Sequence, residues 1–369
     1  LHSFPTRRSS DLRIPPSQIL TSTTLSPHFL VILTKFWYIL GSTKTLMGKS
    51  VKHLLIILSI FLFSFISISC TSSSSSSSTT STDNTTTTST DNSTTTFTGL
   101  FVTVGYSGTI LTSPEGTTWT ERTSGVSKHL NGVTYGNGLF VTVGRRKGTI
   151  LTSSDGTTWT SRGDGTSEDL YEVTYGNGLF VIVGYGTILT SSDGITWTSS
   201  TSSESLYGVT YGNGLFVTVS WNGTIFTSSD GISWTSRSSG TTETLYGVTY
   251  GNGLFVTVGD NGTILTSSDG TTWTSRTSGT TNILYGMTYG NSTFMTVGDN
   301  GTILTSSDGV TWTSRTSGTT EYLYGVTYGN GLFVTGSLGG IILTSSDGIT
   351  WTSRTSGTSN RLNGMTYKE

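Results

Sequence analysis

The sequence predicts an all-β protein whose main domain is a seven-bladed β-propeller of four-stranded antiparallel blades. Two observations lead to this fold class. First, a unit of about 39 residues, rich in strand-forming residues, recurs seven times from Leu100 onward, and this is the repeat length of a propeller blade. Second, the repeated region begins and ends with incomplete units that complement each other. A C-terminal strand is therefore expected to join the N-terminal blade and close the ring.

Each unit is marked by one tryptophan, and the successive spacings are 40, 38, 37, 39, 39 and 39 residues. Near-constant spacing with slips of one or two residues predicts one supersecondary unit that is copied along the chain, with the slips in its loops. The seven tryptophans are Trp119, Trp159, Trp197, Trp234, Trp273, Trp312 and Trp351.

Four short runs in each unit favour β-strands. Residues 245–276 contain LYGVTYG, LFVTVG, TILTS and TTWTSR, separated by NG, DNG and SSDG. Val, Ile, Thr and aromatic residues favour strands, and Asn-Gly or Asp-Gly pairs supply the positive φ angles of tight hairpins. Each unit is therefore expected to form a four-stranded meander. The glycine at the third position of the first run, Gly247 in this unit, is expected where the innermost strand approaches a crowded axis.

The ends of the repeated region indicate how the ring closes. The first unit starts at GLFVTVG without its first run, and the chain finishes with an extra run, LNGMTY, at Leu362 to Tyr367. Together these fragments make one whole blade. Because a ring closed in this way leaves no open sheet face, a closed seven-bladed propeller is expected rather than an open solenoid.

The segments before the repeats differ from them in composition. Residues 1–46 are interpreted as artefactual or untranslated upstream sequence. Residues 47–69 have the order of a secretory signal, because two lysines precede an apolar run that is short for a membrane span. Residues 70–97 are rich in Ser and Thr, have too few apolar residues to fold, and are interpreted as a disordered tether. The propeller domain is placed at 98–369.

The single cysteine of the chain, Cys70, excludes an intramolecular disulfide. It follows the apolar run directly after Ile68 and Ser69, and this arrangement resembles the lipobox of bacterial lipoproteins. The resemblance implies that Cys70 is acylated and anchors the protein in a lipid bilayer of the bacterial cell envelope, facing the periplasm or the surface. The alternative is an ordinary cleaved signal with a free cysteine nearby.

The segment SSDGTTW at residues 267–273 recurs with small changes in the other units. It resembles the Asp box of sialidase-type (BNR) repeat propellers, with one residue fewer between Asp and Trp, and the blade is similar to that of the photosystem II assembly factor propellers. The resemblance implies a hairpin between the third and fourth strands. The box aspartates are Asp155, Asp193, Asp230, Asp269, Asp308 and Asp347.

These aspartates are expected to be structural. An Asp in a hairpin accepts hydrogen bonds from backbone N–H groups of the turn, the next Gly adopts positive φ, and the Trp covers the adjacent hydrophobic seam. Calcium binding is the alternative, but each box offers one carboxylate where calcium takes six or more oxygens. No metal site and no cofactor are therefore predicted.

No catalytic residue is predicted. Sialidase-type chemistry needs an arginine cluster, a Tyr nucleophile with a Glu partner and an acidic Asp at the axis, and the recurring arginines fall on the outermost predicted strand. His129 is the only histidine of the repeated region, so a Ser-His-Asp set or a polyhistidine metal centre has no second candidate. A glycan hydrolase is the less favoured alternative.

One predicted face carries nearly all the variation among the copies, in the loops between the second and third runs and in the links between units. Binding surfaces are commonly built from such loops on a rigid scaffold. We expect this variable loop face to bind a protein or glycan, with basic residues contacting anionic groups and aromatic residues supplying contact area. The predicted binding residues are Lys128, Arg145, Arg146, Lys147, Tyr185, Trp221, Tyr322 and Arg361.

The predicted function is that of a membrane-tethered, exported, non-catalytic recognition or scaffold propeller that is monomeric. An assembly chaperone is an alternative function, and neutral drift in solvated loops is an alternative cause of the variation. The formal net charge is −2, from 19 Lys and Arg against 21 Asp and Glu. Such a chain has no general basic field, so nucleic acid is not an expected partner.

Overall fold

The computed structural model describes residues 99–146, 148–163 and 166–369. The predicted segments 1–46, 47–69 and 70–97, with Cys70, lie outside the described residues, as does Lys147. The described part is built from strands and three short 3-10 segments, at Tyr106–Gly108, Asp260–Gly262 and Asp299–Gly301. None of its helices is long and apolar enough to cross a membrane.

Strands follow one another along the chain with short connections. The first seven are β1 (Leu100–Gly105), β2 (Ile110–Ser113), β3 (Thr120–Arg122), β4 (Leu130–Gly136), β5 (Leu139–Gly144), β6 (Thr149–Ser153) and β7 (Thr160–Arg162). The next six are β8 (Leu170–Gly176), β9 (Leu179–Ser191), β10 (Thr198–Gly212), β11 (Leu215–Ser220), β12 (Ile225–Ser228) and β13 (Thr235–Arg237).

Three further regular meanders complete the repeats. Their strands are β14 (Leu245–Gly251), β15 (Leu254–Gly259), β16 (Ile264–Ser267), β17 (Thr274–Arg276), β18 (Leu284–Gly290), β19 (Thr293–Gly298), β20 (Ile303–Ser306), β21 (Thr313–Arg315), β22 (Leu323–Gly329), β23 (Leu332–Ser337), β24 (Ile342–Ser345) and β25 (Thr352–Arg354). The last strand is β26 (Leu362–Lys368).

The predicted number of blades is wrong. The described residues form six sheets rather than seven: five four-stranded antiparallel sheets, and one six-stranded sheet in the order β13-β12-β11-β10-β9-β8. Four-stranded antiparallel blades are confirmed for the five regular sheets. The fold is thus an all-β propeller, with the third and fourth sequence repeats joined in one sheet.

The long strands β9 and β10 are the cause of the joined sheet. β9 pairs with β8 over Leu179–Gly184 and with β10 beyond that point, so one strand spans two runs of the repeat. Its connection has only Tyr185 where other repeats have two or three residues. The link inside β10 lacks the positive-φ glycine, such as Gly240, that turns other links away from the sheet. Without that turn the chain stays extended.

Closure of the ring uses the pairing that the complementary ends predict. β26 pairs antiparallel with β1, with Leu100 opposite Lys368 and Phe101 opposite Tyr367, and the first sheet has the order β26-β1-β2-β3. The innermost strands contact one another in a closed circle. In order around it they are β4, β8, β10, β14, β18, β22 and β26.

The core lies between neighbouring units. In β15, Phe255, Val256 and Val258 are fully buried, because the second strand of a unit has a neighbouring unit on each face. Phe255 packs with residues of the preceding unit, such as Val217, while Val256 packs with Phe294 of the following one. Each interface therefore depends on two successive copies of the repeat.

Glycines of the innermost strands allow these strands to approach closely. A Cβ atom at Gly286 would lie 2.1 Å from the carbonyl oxygen of Tyr324, and one at Gly247 would lie 2.5 Å from that of Tyr285. Both oxygens belong to the backbone of the next innermost strand. The packing reason that the sequence suggested for these glycines therefore agrees with the structure.

Candidate functional site

The Asp-Gly hairpins lie at the outer end of each unit and are held by a repeated set of hydrogen bonds. Asp269 Oδ1 accepts hydrogen bonds from the N–H groups of Thr271 (2.8 Å) and Thr272 (2.9 Å) and from Ser267 Oγ (2.9 Å). The indole N–H of Trp273 donates to the Gly270 carbonyl at 3.2 Å. The carboxylate is thus used within its own turn.

The other boxes repeat this arrangement with small differences. Donors to the carboxylate keep the pKa of Asp193, Asp230 and Asp347 at about 2, with the backbone N–H three residues on as the largest cause. In the first unit Glu115 replaces the Asp, and its Oε1 accepts a hydrogen bond from the Thr118 N–H at 2.7 Å. These residues belong to turn geometry, and the described residues contain no group of three or more potential metal-ligating side chains.

The recurring arginines lie on the outermost strands, as the sequence indicated. In β17, Arg276 Nε donates to Thr266 Oγ1 at 2.9 Å, and Arg315 and Arg122 make the same contact in their own units. These guanidinium groups are therefore hydrogen-bonded on the outermost strands, which form the rim of the propeller.

The axis of the propeller contains a cavity of about 470 Å³, which lies at the starts of the innermost strands. This is within the range of about 300 to 1,000 Å³ that is usual for ligand sites. The second residue of five innermost strands is a tyrosine that lines it, and these side chains form an arc around the mouth. The five are Tyr171, Tyr207, Tyr246, Tyr285 and Tyr324, called the tyrosine arc below.

The rings of the tyrosine arc contact each other in sequence. Their centroids are 5.1 Å apart for Tyr171 and Tyr207, 5.3 Å for Tyr207 and Tyr246, and 5.4 Å for Tyr246 and Tyr285. The last pair, Tyr285 and Tyr324, is 4.9 Å apart. Aromatic pairs at about 4.5 to 7 Å stabilise each other, so the arc is a preformed wall.

Two predicted binding residues, Arg145 and Arg361, lie at the two ends of this arc and line the same cavity. The guanidinium carbon of Arg361 is 3.4 Å from the ring centroid of Tyr324 and 5.1 Å from that of Tyr106. That of Arg145 is 5.4 Å from the centroid of Tyr171. The Nε atoms of both arginines are buried and have no hydrogen-bond acceptor among the described residues.

Asn131 and Asn363 occupy the tyrosine position in the two remaining innermost strands, β4 and β26. The side-chain amide of Asn131 donates to the Leu170 carbonyl, and that of Asn363 donates to the Leu130 carbonyl, each at 2.7 Å. The amide oxygen of Asn363 is buried without a donor in the described part of the chain. The mouth therefore has an aromatic side and a side formed by Asn and Arg.

Glu172 is the one carboxylate among the described residues that line the cavity, and it replaces the third-position glycine of its strand. Its Oε1 accepts a hydrogen bond from the Val173 N–H at 2.9 Å. Burial raises the pKa of the carboxyl group to about 7, and the Val173 N–H offsets this only in part. A carboxylate without a cationic partner in a partly dry wall is costly to ionise, which is the physical cause of the shift.

Further basic residues surround the Arg145 and Arg361 side of the mouth. Together with Arg146 and His129, these two arginines are called the basic sector below. His129 stacks on Tyr106 with ring centroids 3.9 Å apart, and its Nδ1 accepts a hydrogen bond from the Ser107 N–H. Burial and three neighbouring arginines lower the pKa of the imidazole; these are Arg146, Arg145 and Arg361. His129 is thus a stacked histidine in a positive field.

On the opposite side of the arc, two carboxylates lie close to tyrosine hydroxyls. Burial and the neighbouring carboxylate of Asp260 raise the pKa of the Tyr246 hydroxyl to about 12. Burial and a hydrogen bond to Asp299 likewise raise the pKa of Tyr285. The hydroxyls of Tyr246 and Tyr285 are therefore close to acidic groups that disfavour their ionisation.

The other predicted binding residues lie outside the cavity. Trp221 and Tyr185 are 55% and 59% exposed, and Tyr322 is 38% exposed. The indole N–H of Trp221 donates to Glu204 Oε2 at 2.7 Å. Arg146 is exposed and Lys128 half-buried. Their role in binding stays a prediction.

The tyrosine arc and Glu172 were not predicted as site residues. Their repetition in LYGVTYG made the tyrosines look like part of the scaffold, although a large polar aromatic beside a glycine at a propeller axis was the available signal. The one signal for Glu172 in the sequence was that it stands at the third position of its run, where the other copies have glycine.

Neither a protein-family model nor a curated protein matches the chain. Solved structures do. YCF48 from Cyanidioschyzon merolae is 15% identical with a TM-score of 0.51, over 65% of this chain and 94% of that chain. YCF48 bound to D1 peptide is 18% identical with a TM-score of 0.51, over 61% and 80% of the two chains. The WD40 propeller domain of Doa1 is 15% identical with a TM-score of 0.56, over 68% and 90%.

At these identities the similarities establish the fold alone. The described domain is an all-β propeller, and the expected similarity to the photosystem II assembly factor propellers holds at the level of fold. The Asp-box relationship and the lipoprotein signal stay predictions.

Proposed function

We propose that the domain is a non-catalytic recognition propeller that binds a protein partner on its variable loop face, at the mouth of the axial cavity. The observation that carries this proposal is the concentration of tyrosine and arginine at one concave site. Tyr and Arg supply a large share of the binding energy in protein interfaces. A propeller of similar fold binds a peptide, which supports a protein partner.

The basic sector is suited to acidic groups of that partner. Stacking on Tyr324 and Tyr106 restrains the Arg361 guanidinium at the mouth of the cavity. Preorganised guanidinium groups bind carboxylates with little loss of side-chain entropy. Arg145 offers a second guanidinium group, while Arg146 and Lys128 add positive charge outside the cavity. Lys147 completes the predicted basic set outside the described residues.

Export and tethering are part of the proposal. The predicted signal at 47–69, acylation of Cys70 and the Ser/Thr-rich tether would hold the propeller at a bilayer of the bacterial cell envelope. A flexible tether of about 26 residues has an end-to-end distance on the order of 30 Å. Intact-mass analysis of the membrane fraction tests the anchor, since an unmodified Cys70 removes it.

Glycan hydrolysis is the competing function, and the residues that line the cavity make it necessary to consider it. It contains tyrosines, Glu172 and two arginines, which are residue types that a sialidase-like site uses. However, among the described residues Glu172 accepts a hydrogen bond from the Val173 N–H and none from a tyrosine hydroxyl. A tyrosine nucleophile needs an adjacent base, so this arrangement favours binding. Turnover of fluorogenic sialosides that is lost in Glu172→Gln would reverse the choice, and binding of an intact glycan would change the partner class.

An assembly chaperone would use the same face but release its partner during maturation. This alternative differs from a permanent scaffold in the lifetime of the complex, which pulse-chase capture measures directly.

The test of the proposed function is capture from native lysate, followed by binding of the purified partner. Arg145→Gln with Arg361→Gln should weaken the affinity by at least about tenfold, because each lost charged contact is worth roughly 1 to 3 kcal/mol. Arg276→Gln with Arg315→Gln removes the same charge from the outer strands and serves as the matched control. Equal affinity of the two double variants would contradict the proposal.

A further inference from the structure

The deeper part of the axial cavity differs chemically from its arginine-bearing mouth. Glu172 lies there among third-position glycines and the apolar side chains of the next position, which include Val209, Val248 and Met287. Its second carboxylate oxygen has no hydrogen-bond donor among the described residues, because the one bond to the group is made by the Val173 N–H on Oε1. The carboxyl group therefore has capacity left for a ligand.

Aromatic faces line the approach to this carboxyl group. The five rings of the tyrosine arc overlap in pairs at 4.9 to 5.4 Å and are held in place by each other. Rings of Trp, Tyr and Phe attract cations through their negative faces, and cages of such rings recognise ammonium groups. The arc thus offers a favourable surface to a cation and to the alkyl chain that carries it.

Charges behind the rings add to this preference. The hydroxyls of Tyr246 and Tyr285 are close to the carboxylates of Asp260 and Asp299, which makes these rings more electron-rich. One oxygen of each aspartate is buried without a donor in the described structure.

From this geometry we infer that the axial cavity binds the side chain of a lysine from the protein partner, with its ammonium group at Glu172 and its alkyl chain within the tyrosine arc. This inference rests on the proposed function for the identity of the partner as a protein. The ammonium group supplies a positive charge beside Glu172, and an opposite charge close to a half-buried carboxyl group favours its ionised form. A neutral side chain of the same length would leave the negative charge of Glu172 without an opposite charge.

The test uses a small probe, N-α-acetyl-lysine methylamide, titrated into the full-length chain at about pH 8 and followed by NMR. Saturable binding is expected, together with shifts of tyrosine signals. The analogue with norleucine in place of lysine has the alkyl chain without the charge and should bind at least about tenfold more weakly. Acetylation of the ε-amine should have the same effect.

Two variants make the test specific. Glu172→Gln should weaken the lysine probe at least tenfold, and Tyr246→Leu should weaken it several-fold. Glu321→Gln, which removes a half-buried carboxylate from a link between units outside the cavity, should leave the affinity unchanged. The melting temperature of Glu172→Gln serves as the check that this variant is folded, and it should be no lower than that of the parent.

Equal affinity for the lysine and norleucine probes, unchanged binding by Glu172→Gln, or no saturable binding of the lysine probe would each overturn the inference. Partner capture that persists in Glu172→Gln but is lost on replacing Arg145 and Arg361 would overturn it while leaving the proposed function intact. If capture of the partner persists in Glu172→Gln and also after replacement of Arg145 and Arg361, the proposed function itself is contradicted.

Discussion

The guanidinium carbon of Arg361 lies 3.4 Å from the ring centroid of Tyr324, and this contact joins the C-terminal strand region to the tyrosine arc. Arg361 immediately precedes β26, whereas Tyr324 belongs to the previous innermost strand, β22. The residue that precedes the ring-closing strand is thus also a residue at the mouth of the cavity.

Replacement of Arg361 should therefore affect stability as well as binding. Arg361→Ala removes cation–π contacts with Tyr324 and Tyr106, and we expect it to lower the free energy of unfolding by about 1 to 2 kcal/mol. Arg146→Ala removes an exposed charge nearby and should change it by less than about 0.5 kcal/mol. Urea unfolding of the two variants measures the difference. Equal midpoints would show that the stacking of Arg361 contributes nothing to the fold.

The innermost glycines predict a steric effect that the rim glycines do not share. A Cβ at Gly286 would lie 2.1 Å from the Tyr324 carbonyl oxygen, whereas one at Gly163 would meet no atom within 4 Å. We expect Gly286→Ala to cost roughly 1 to 3 kcal/mol, as overpacking does, and Gly163→Ala to be neutral or slightly stabilising. Chemical unfolding of both variants is the measurement. A tolerated Ala at Gly286 would mean that the innermost strands are less closely packed than described.

Glu172 predicts a pH dependence of stability near neutrality. Its pKa is raised from 4.5 to about 7, so the folded state disfavours the ionised form. The associated stability is present below the unfolded pKa of 4.5 and is lost as the pH rises through about 7. Glu172→Gln should match the parent near pH 4 and exceed it by on the order of 1 to 3 kcal/mol near pH 8. Unfolding free energies across this range provide the check, and a constant difference would contradict the shift.

The Asp-Gly hairpins predict acid lability. The folded-state pKa of Asp230 is lowered from 3.8 to about 2, mainly by the backbone N–H of Ser233, and Asp347 behaves likewise. Their contribution to stability is present above the unfolded pKa and is lost as the pH falls from about 4 toward 2. Asp230→Asn with Asp347→Asn should therefore flatten the fall of unfolding free energy in this range. An unchanged slope, with cooperative unfolding retained at pH 7, would argue against these turns as its source.

Much of the fold was predictable because it is local and repeated. The turn glycines, the alternation of strand and hairpin, and the match between Leu100–Gly105 and Leu362–Lys368 are all visible in one sequence. The blade count failed where the repeat itself changes. Tyr185 alone replaces a longer loop, and the link within β10 lacks a glycine and is two residues shorter than the link after Trp273. These two changes together merged two repeats into one sheet.

The site was harder to predict for a physical reason. The tyrosine of each LYG copy packs against its neighbours and in our proposal also binds the partner, and periodicity does not separate these roles. Arg145 and Arg361 were selected for their variation, but their position over Tyr171 and Tyr324 depends on the curvature of the ring. Only the closed circle of innermost strands brings residues so distant in sequence to one cavity.

The most direct test of the central claim, recognition at the axial mouth, is oxidative footprinting of the chain with and without its captured partner. Protection is expected at the tyrosine arc and at Trp221, while the rim tryptophans Trp119, Trp234 and Trp273 keep their reactivity. Protection confined to the rim tryptophans, with the tyrosine arc as reactive as in the free protein, would contradict it.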